Sequence, residues 1–289
     1  MAVTADPGQI VARERAYRWA GVIAVLAGVV VFLAGLFGRQ IDIDPTNVPL
    51  ISSDGRYYYA SALILTVVFA WTVARSEPDR ELVGRVHFSS ETGEPTYPQG
   101  ATGWIVPAIA LFTAFLHMAR YFDWIWLVLA ATTTGATVFL ACVARHHSVR
   151  AEGAPSRNVR LGRLALTDFV AFVSFATIYA FKARTLYSGT VILLLAWLLL
   201  FQLLDDGTSS RFQRDIYSAA GAIIVAEFCW ALNYWDASSW QAGVLLLIVF
   251  QVYAGLALAQ IRGRLDQRVL AQQLGIGAAV FLMIAYFAG

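Results

Sequence analysis

The sequence predicts an all-α polytopic transmembrane bundle of about nine spans with its N-terminus inside, and three observations carry that prediction. The chain of 289 residues is 58% hydrophobic and 14% charged, with a mean hydropathy of +0.62, more apolar surface than a globule can withdraw from water. Its apolar stretches reach the roughly 20 residues needed to cross about 30 Å of hydrocarbon, and they alternate with short polar breaks. The basic residues fall in every second break, as they do when one set of loops stays in the cytoplasm. Helical stretches without strand periodicity exclude an outer-membrane barrel.

The elements follow in order. Asp6, Arg13, Glu14, Arg15 and Arg18 precede the first span, 17–37, and no cleavage site follows it, so 1–16 reads as a short cytoplasmic segment ahead of a retained anchor. A loop at 38–56 with Asp42, Asp44 and Asp54 leads through Tyr57, Tyr58 and Tyr59 into the second span, 57–74. A turn-rich cytoplasmic loop, 75–101, contains Pro78, Pro95 and Pro98 and precedes the third and fourth spans, 102–121 and 124–143. A second cytoplasmic loop, 144–163, holds Arg145, His146, His147 and the arginines from Arg150 to Arg163, placed to lie against anionic headgroups. Spans at 164–182, 187–204, 216–235 and 240–260 follow. The ninth, 269–288, is the shortest apolar run, because Gln272 and Gln273 leave only 274–288 uninterrupted. No break is long enough for a folded soluble domain, so 1–289 reads as one integral-membrane domain.

Charge and tryptophan orient this chain. The inner segments hold Arg13, Arg15, Arg18, Arg75, Arg80, Arg85, Arg145, Arg150, Arg157, Arg160, Arg163, Arg211, Arg214, Arg262, Arg264 and Arg268. The outer segments hold only Arg39, Arg56, Arg120, Lys182 and Arg184, which completes the 21 basic residues. The net charge of +2 therefore marks topology and no nucleic-acid partner. Trp19, Trp71 and Trp104 fall at inner ends, and Trp124, Trp126, Trp235 and Trp240 at outer ends, the two aromatic belts of a spanning bundle. Trp197 and Trp230 fall mid-span. Cys142 and Cys229 sit at different depths and read as small buried hydrophobes.

Ionisable groups at bilayer depth are costly, so candidate sites start there. Glu227, near mid-depth in the seventh span, shares a face with Trp230 and Tyr234. The eighth span returns antiparallel and carries Gln251 beside the small residues Ala254, Gly255 and Ala259, so a Glu227–Gln251 hydrogen bond between adjacent helices is expected. In the third span His117 and Arg120 share a polar face with Thr113 near the outer boundary. Together with Asp123, Asn233 and Asp236 they form a predicted outward-facing polar cluster. A single histidine without a second His or Cys at its depth is a poor metal site, so no metal and no cofactor are expected. Asp168 reads as a first-turn acid beside Arg160 and Arg163.

The run Glu227-Phe228-Cys229-Trp230-Ala231-Leu232-Asn233-Tyr234-Trp235, together with Arg145-His146-His147-Ser148-Val149 and with Ile178-Tyr179 followed by Arg184, resembles a bacterial family of small polytopic membrane proteins known only as a domain of unknown function. The resemblance covers roughly 125–289, and Asp236 stands where that family tends to have proline. It implies a multi-pass protein of the cytoplasmic membrane and points to Glu227, Trp230 and Asn233 as a unit, but it implies no activity.

No complete catalytic, nucleotide-binding or metal-binding motif is present. The leading reading is therefore a membrane scaffold or accessory subunit, whose partners are the lipid bilayer and other membrane subunits. The alternative is a carrier or proton-coupled transporter using Glu227. A third reading, an outer-leaflet lipid-linked transferase, rests on the acidic residues of 38–56 alone. The charge bias makes a direct prediction for the topology: single-cysteine labelling places residues 80 and 150 on one side of the membrane and residue 50 on the other. Labelling of 80 and 50 from the same side would overturn the nine-span arrangement.

Overall fold

The computed structural model describes residues 7–38, 56–78, 87–88, 95–96, 102–149, 156–181, 185–205, 211–235 and 237–288. Among the described residues there are nine helices: α1 Pro7–Gly38, α2 Arg56–Ser76, α3 Ile105–Arg120, α4 Trp124–Val149, α5 Arg157–Ala180, α6 Thr185–Leu203, α7 Arg211–Leu232, α8 Ser239–Ile261 and α9 Gln267–Ala288. The fold is all-α, apart from one ribbon in the stretch predicted as turn-rich. There His87–Phe88 pairs antiparallel with Pro95–Thr96. By length and composition α1, α2, α4, α5, α7 and α8 are able to cross a membrane, while α3 and the Tyr187–Leu203 part of α6 are shorter apolar helices.

Each predicted span has its helix, but several run further than hydropathy suggests. α4 continues from 143 to Val149, α5 starts at Arg157 instead of 164, α7 starts at Arg211 instead of 216, and α1 is helical from Pro7. The predicted loop 144–163 is thus largely helix, with 150–155 outside the described residues. The extensions carry Arg145, Arg163 and Arg214, whose side chains find partners inside the protein, so the helices have no reason to stop where the apolar run ends. The loop 38–56 and its acidic residues lie outside the described residues.

Successive helices reverse direction, and hydrogen bonds confirm the alignment. Tyr58, at the start of α2, donates to the Phe115 carbonyl near the end of α3 at 3.0 Å. The indole of Trp19, in the first half of α1, donates to Ser76 at the end of α2 at 2.9 Å. α3 and α5 run parallel, since Thr113 meets Ser174, His117 meets Thr177 and Arg120 meets Ala180. One end of the bundle therefore gathers the starts of α1, α3, α5, α7 and α9 with the ends of α2, α4, α6 and α8. This is the arginine-rich end.

Two apolar clusters fill the interior. The first joins α1 to α4 through Ala20, Ala24, Ala27, Val31, Phe115, Val138 and Cys142; the second is built on α3 and α5–α8, with Phe175 edge-on to Phe250 at 6.1 Å. α3 links them by packing against α1, α2, α4, α5 and α6.

α1 and α4 approach so closely that backbone meets backbone. A Cβ on Gly28 would lie 3.1 Å from the Ala131 carbonyl oxygen, and one on Gly135 3.1 Å from that of Ala24. Two small-residue pairs four apart, Ala24 with Gly28 and Ala131 with Gly135, thus face each other, the pattern by which helices associate where lipid supplies no hydrophobic drive. At the other extreme α8 ends at Gly263, whose φ of +63° turns the chain so that the Arg264 N–H reaches the Ala259 carbonyl at 2.9 Å.

Gly135→Val should therefore force α1 from α4 and cost about 1–3 kcal/mol, read as a lower unfolding temperature of the purified protein. Gly162→Ala, where an added Cβ meets nothing within 4 Å, should instead stabilise by about 0.5–1 kcal/mol through helix propensity. Equal effects at both positions would refute the close crossing.

Candidate functional site

Charged side chains converge at the arginine-rich end, where six helix ends meet: those of α2, α3, α4, α5, α6 and α7. Asp205 stands two residues beyond the end of α6 and is buried, with 3% of its surface exposed. Its Oδ2 accepts from the Thr102 hydroxyl at 2.8 Å, just before α3, and its Oδ1 accepts from Arg214 Nη1 at 2.5 Å, in the first turns of α7. The Arg214 guanidinium also lies over the Phe201 ring, 4.0 Å from its centroid. Gln202, on α6 three residues before Asp205, accepts from the Val106 N–H at 3.1 Å. One turn of α6 thus satisfies two donors at the start of α3, where unpaired N–H groups and the positive end of the helix dipole favour an acid.

A second ion pair lies beside the first. Arg145 Nε donates to Glu77 Oε1 at 3.3 Å, and both side chains are buried, at 7% and 11% exposure. The Arg145 side chain crosses the backbone at Gly103, where a Cβ would stand 3.1 Å from Nε and 3.2 Å from Cγ, so glycine there makes the passage. One turn after Arg145, Ser148 accepts from Arg163 Nη1 of α5 at 3.3 Å while donating to the Ala144 carbonyl at 2.8 Å. Arg163 lies within electrostatic range of both Arg145 and Asp205. Removing such charges from water costs several kcal/mol per ion, which only geometry and added hydrogen bonds recover.

Further along the bundle, α5 carries most of the polar contacts. Ser174 shares a hydrogen bond of 2.6 Å with Thr113, and Tyr179 donates to the Leu232 carbonyl at 2.8 Å. Asp168 accepts from the Gln251 amide of α8. By helical rise Asp168 lies about 16 Å and Gln251 about 15 Å from the arginine-rich ends of their helices, so the pair sits mid-helix at one depth. Beside it, Gly255 leaves room for the Gln273 amide of α9, whose atoms would stand 2.9 Å from a Cβ there.

These placements correct several expectations. Gln251 bonds Asp168 and not Glu227, and Asp168 is a mid-helix acid rather than a first-turn one. Glu227 is exposed on α7 and has no hydrogen-bond or ion-pair partner among the described residues. It also stands only five residues before Leu232, about 7.5 Å from that helix end and not mid-depth. Trp230 is likewise near the end of α7, with its indole lying across Gly189 of α6.

The predicted outer cluster does not form. α7 packs against α6 and α8, whereas α3 packs against neither α7 nor α8. His117 instead faces Thr177 of α5 at 3.4 Å, with its ring 4.9 Å from Tyr121 and 5.6 Å from Trp126. Arg120 Nε donates to the Ala180 carbonyl at 3.3 Å, and Asp123 caps its own helix through the Trp124 N–H at 2.7 Å. Asn233 is exposed, and Asp236 lies outside the described residues. Equal depth does not make two helices neighbours, and α5 and α6 stand between α3 and α7.

The residues that do converge, Glu77, Arg145, Arg163, Asp205 and Arg214, appear in the sequence as loop and topology charges. The signal that could have found them is Asp205, an acid three residues after Gln202 just past a helix that carries no charged residue. Among the described residues no three His, Cys, Asp or Glu side chains stand close enough to hold a metal ion. Both carboxylates of the hub are engaged by arginine, so what the arrangement does in this structure is brace the helix ends against one another.

The hub makes a sharp stability prediction. Asp205→Ala leaves Arg214 buried and unpaired and should cost about 3–5 kcal/mol, whereas the double change Asp205→Leu with Arg214→Met should cost much less. Thermal unfolding of both variants in detergent measures the difference; a double variant as unstable as the single one would show that the pair is not the source.

No curated protein and no solved structure matches the chain. A family described as a protein of unknown function, DUF5656, matches residues 49–287. The match begins well before the stretch at 125–289 that the sequence resemblance covers, and it takes in every helix of the hub but leaves α1 outside. The chain belongs to the DUF5656 family.

Proposed function

We propose that this protein is a membrane scaffold or accessory subunit, and that it docks another membrane subunit against the face of α7 that carries Glu227. The observation behind this reading is the direction of that carboxylate. Ile216, Ile223, Glu227, Trp230 and Ala231 form an exposed stripe along α7, with Ile223 at 49% and Trp230 at 48% exposure. The opposite side of the helix, with Ala222, Val225 and Cys229, is buried in the core. A lone carboxylate among exposed apolar side chains, about one and a half turns inside a helix end, costs several kcal/mol against acyl chains unless a partner covers it.

Direction also weighs between the readings. A carrier that uses Glu227 needs an aqueous path to it through the bundle, whereas Glu227 points away from the bundle. A docking residue needs the reverse, a rigid helix face that presents one polar anchor among apolar side chains. The packing behind α7 suits that role, since Tyr253 of α8 closes over Gly221 and donates to the Tyr217 carbonyl at 2.7 Å.

Carbodiimide modification of membrane carboxyl groups, read peptide by peptide, tests the proposal. Glu227 is expected to be shielded in native membranes and reactive in the purified protein reconstituted alone in nanodiscs. Glu227→Leu should change stability by no more than about 0.5 kcal/mol, as an exposed substitution does, yet abolish the shielded state by preventing assembly. Equal reactivity of Glu227 in both preparations would overturn the docking role.

A further inference from the structure

We infer that Asp168 is a proton-binding site, set where α5 and α9 flank α8 and entered from the arginine-rich end past Gln273. The site is independent of the docking face at Glu227. Asp168 stands mid-helix and half-buried, and its one hydrogen-bond partner among the described residues is the Gln251 amide nitrogen. Its second carboxyl oxygen, the Gln251 amide oxygen and the Gln273 amide make no hydrogen bond to a described residue. Open polar groups at this depth are costly unless a proton or water reaches them.

No charge reaches Asp168 from the helices packed against α5, which are α3, α4, α6 and α8. The one ionisable group of α8, Tyr253, is turned to Tyr217 of α7. His117 and Arg120 of α3 lie at Thr177 and Ala180, nine and twelve residues along α5 from Asp168. On α4, Arg145 is taken by Glu77 and His147 by Tyr17, His146 lies against His147, and Cys142 belongs to the α1–α4 core. α6 brings only Tyr187, at its far end. Arg163 and Arg160 of α5 itself stand about 7.5 Å and 12 Å nearer the arginine-rich end, and neither pairs with Asp168. An acid without a cation keeps its charge here only at high cost. Gln251 suits both of its forms, because the amide N–H donates to a carboxylate and the amide oxygen accepts from an acid. An arginine in that place would hold the charge fixed, whereas an amide lets it change.

Rotation about α8 supplies the route. On one side Gly243 faces Ala176 of α5, and on the other Val252 and Gly255 face Gly277 and Gln273 of α9. Gln251 lies between these directions, about 80° from Gly243 and about 40° from Gly255. α5 and α9 make no contact among the described residues, so Gln251 floors a groove between them. Gly255 lies about 6 Å nearer the arginine-rich end than Gln251, an interval that one water bridges. There Gln273 lays its amide, 2.9 Å from where a Cβ on Gly255 would stand. Past the Asp168–Gln251 pair the groove is apolar: a Cβ on Gly277 would meet Val252 at 2.8 Å, and Phe175 meets Phe250. A proton that leaves hydronium at the arginine-rich face therefore reaches Asp168 and returns the same way. The site binds a proton from one side and does not conduct it across.

The experiment uses the full chain in nanodiscs and a lipid-soluble carbodiimide, which reacts with a protonated carboxyl. Asp168 and Glu227 are read in separate tryptic peptides, since Lys182 and Arg214 cut between them. Modification of Asp168 should fall about tenfold per pH unit above its midpoint, as a single group titrates, over the pH range in which circular dichroism shows intact helices. Gln273→Leu should leave that yield unchanged and cut modification by a water-soluble carbodiimide several-fold. Infrared spectroscopy reads the proton without any reagent: the wild type should gain a protonated-carboxyl band on acidification, and Asp168→Asn, which keeps a polar partner for Gln251, should gain less by one group. Modification and infrared band that both ignore pH would show a purely structural acid and overturn the proposal. Protection by sodium over choline at fixed pH would assign the groove to a metal cation and overturn it equally. Equal water-soluble labelling of Gln273→Leu and the wild type would overturn the route past α9.

Discussion

Asp205 fixes the relative positions of three helices with one carboxylate. Its two oxygens are committed in different directions, one to Thr102 at the start of α3 and the other to Arg214 at the start of α7, while the acid itself belongs to the end of α6. At 3% exposure it cannot exchange these partners for water. The register of α3 against α6 and α7 is therefore set electrostatically, and the apolar side chains above it, such as Ile105, Leu199 and Leu200, pack within that register. Apolar contacts alone leave helices in lipid free to slide, because acyl chains solvate leucine as well as another leucine does. The charged end removes that freedom, and Glu77 with Arg145 extends the same constraint to α2 and α4.

Helix number and order were legible in the sequence because hydropathy is a property of length, and length survives folding. All nine predicted segments became helices, including the one interrupted by Gln272 and Gln273. Rotation was not legible. Gln251 and Tyr253 stand two residues apart on α8, about 200° around the axis, so they face different neighbours: Gln251 reaches Asp168 on α5 and Tyr253 reaches Tyr217 on α7. Hydropathy puts Glu227 and Gln251 at similar levels, whereas in the structure Glu227 stands about 10 Å nearer the end of the bundle away from the arginines, and Gln251 is turned toward α5, so depth and rotation together decide which acid the amide meets. The outer cluster of His117, Arg120 and Asn233 fails for another reason, which helices are neighbours: α3 and α7 do not touch.

The hub was hidden for a different reason. Arginine near a helix end has two common uses, orientation of the chain and pairing inside the protein, and composition does not separate them. Arg160 and Arg163 share a loop in any hydropathy plot, yet one is exposed and the other is held by Ser148. What separates them is that α5 starts at Arg157, not at 164, so that two further turns of helix give each arginine a fixed direction. Acidic residues were a better guide than the basic ones. Asp168 and Glu227 each interrupt an otherwise apolar stretch and Asp205 ends one, and each proves to be a point where the structure needs an explanation.

The boundary of the family match separates two kinds of packing. Residues 49–287 include α2 to α8 and with them every charged partner of the hub, from Glu77 to Arg214. α1 lies before that boundary and reaches the rest of the bundle mainly through Ala24, Ala27, Gly28 and Val31 against α4, with few polar contacts, among them Tyr17 to His147 at 3.0 Å and Trp19 to Ser76. Two mechanisms of helix association thus coexist in one chain. The α2–α7 ends are joined by ion pairs that demand one geometry, and a missing partner there strands a buried charge. The α1–α4 crossing is joined by backbone proximity, which demands only that no side chain intrude. Function built on the first needs the charges to be arranged as they are; the second needs only space, and leaves the outward face of α1 apolar and without any comparable constraint.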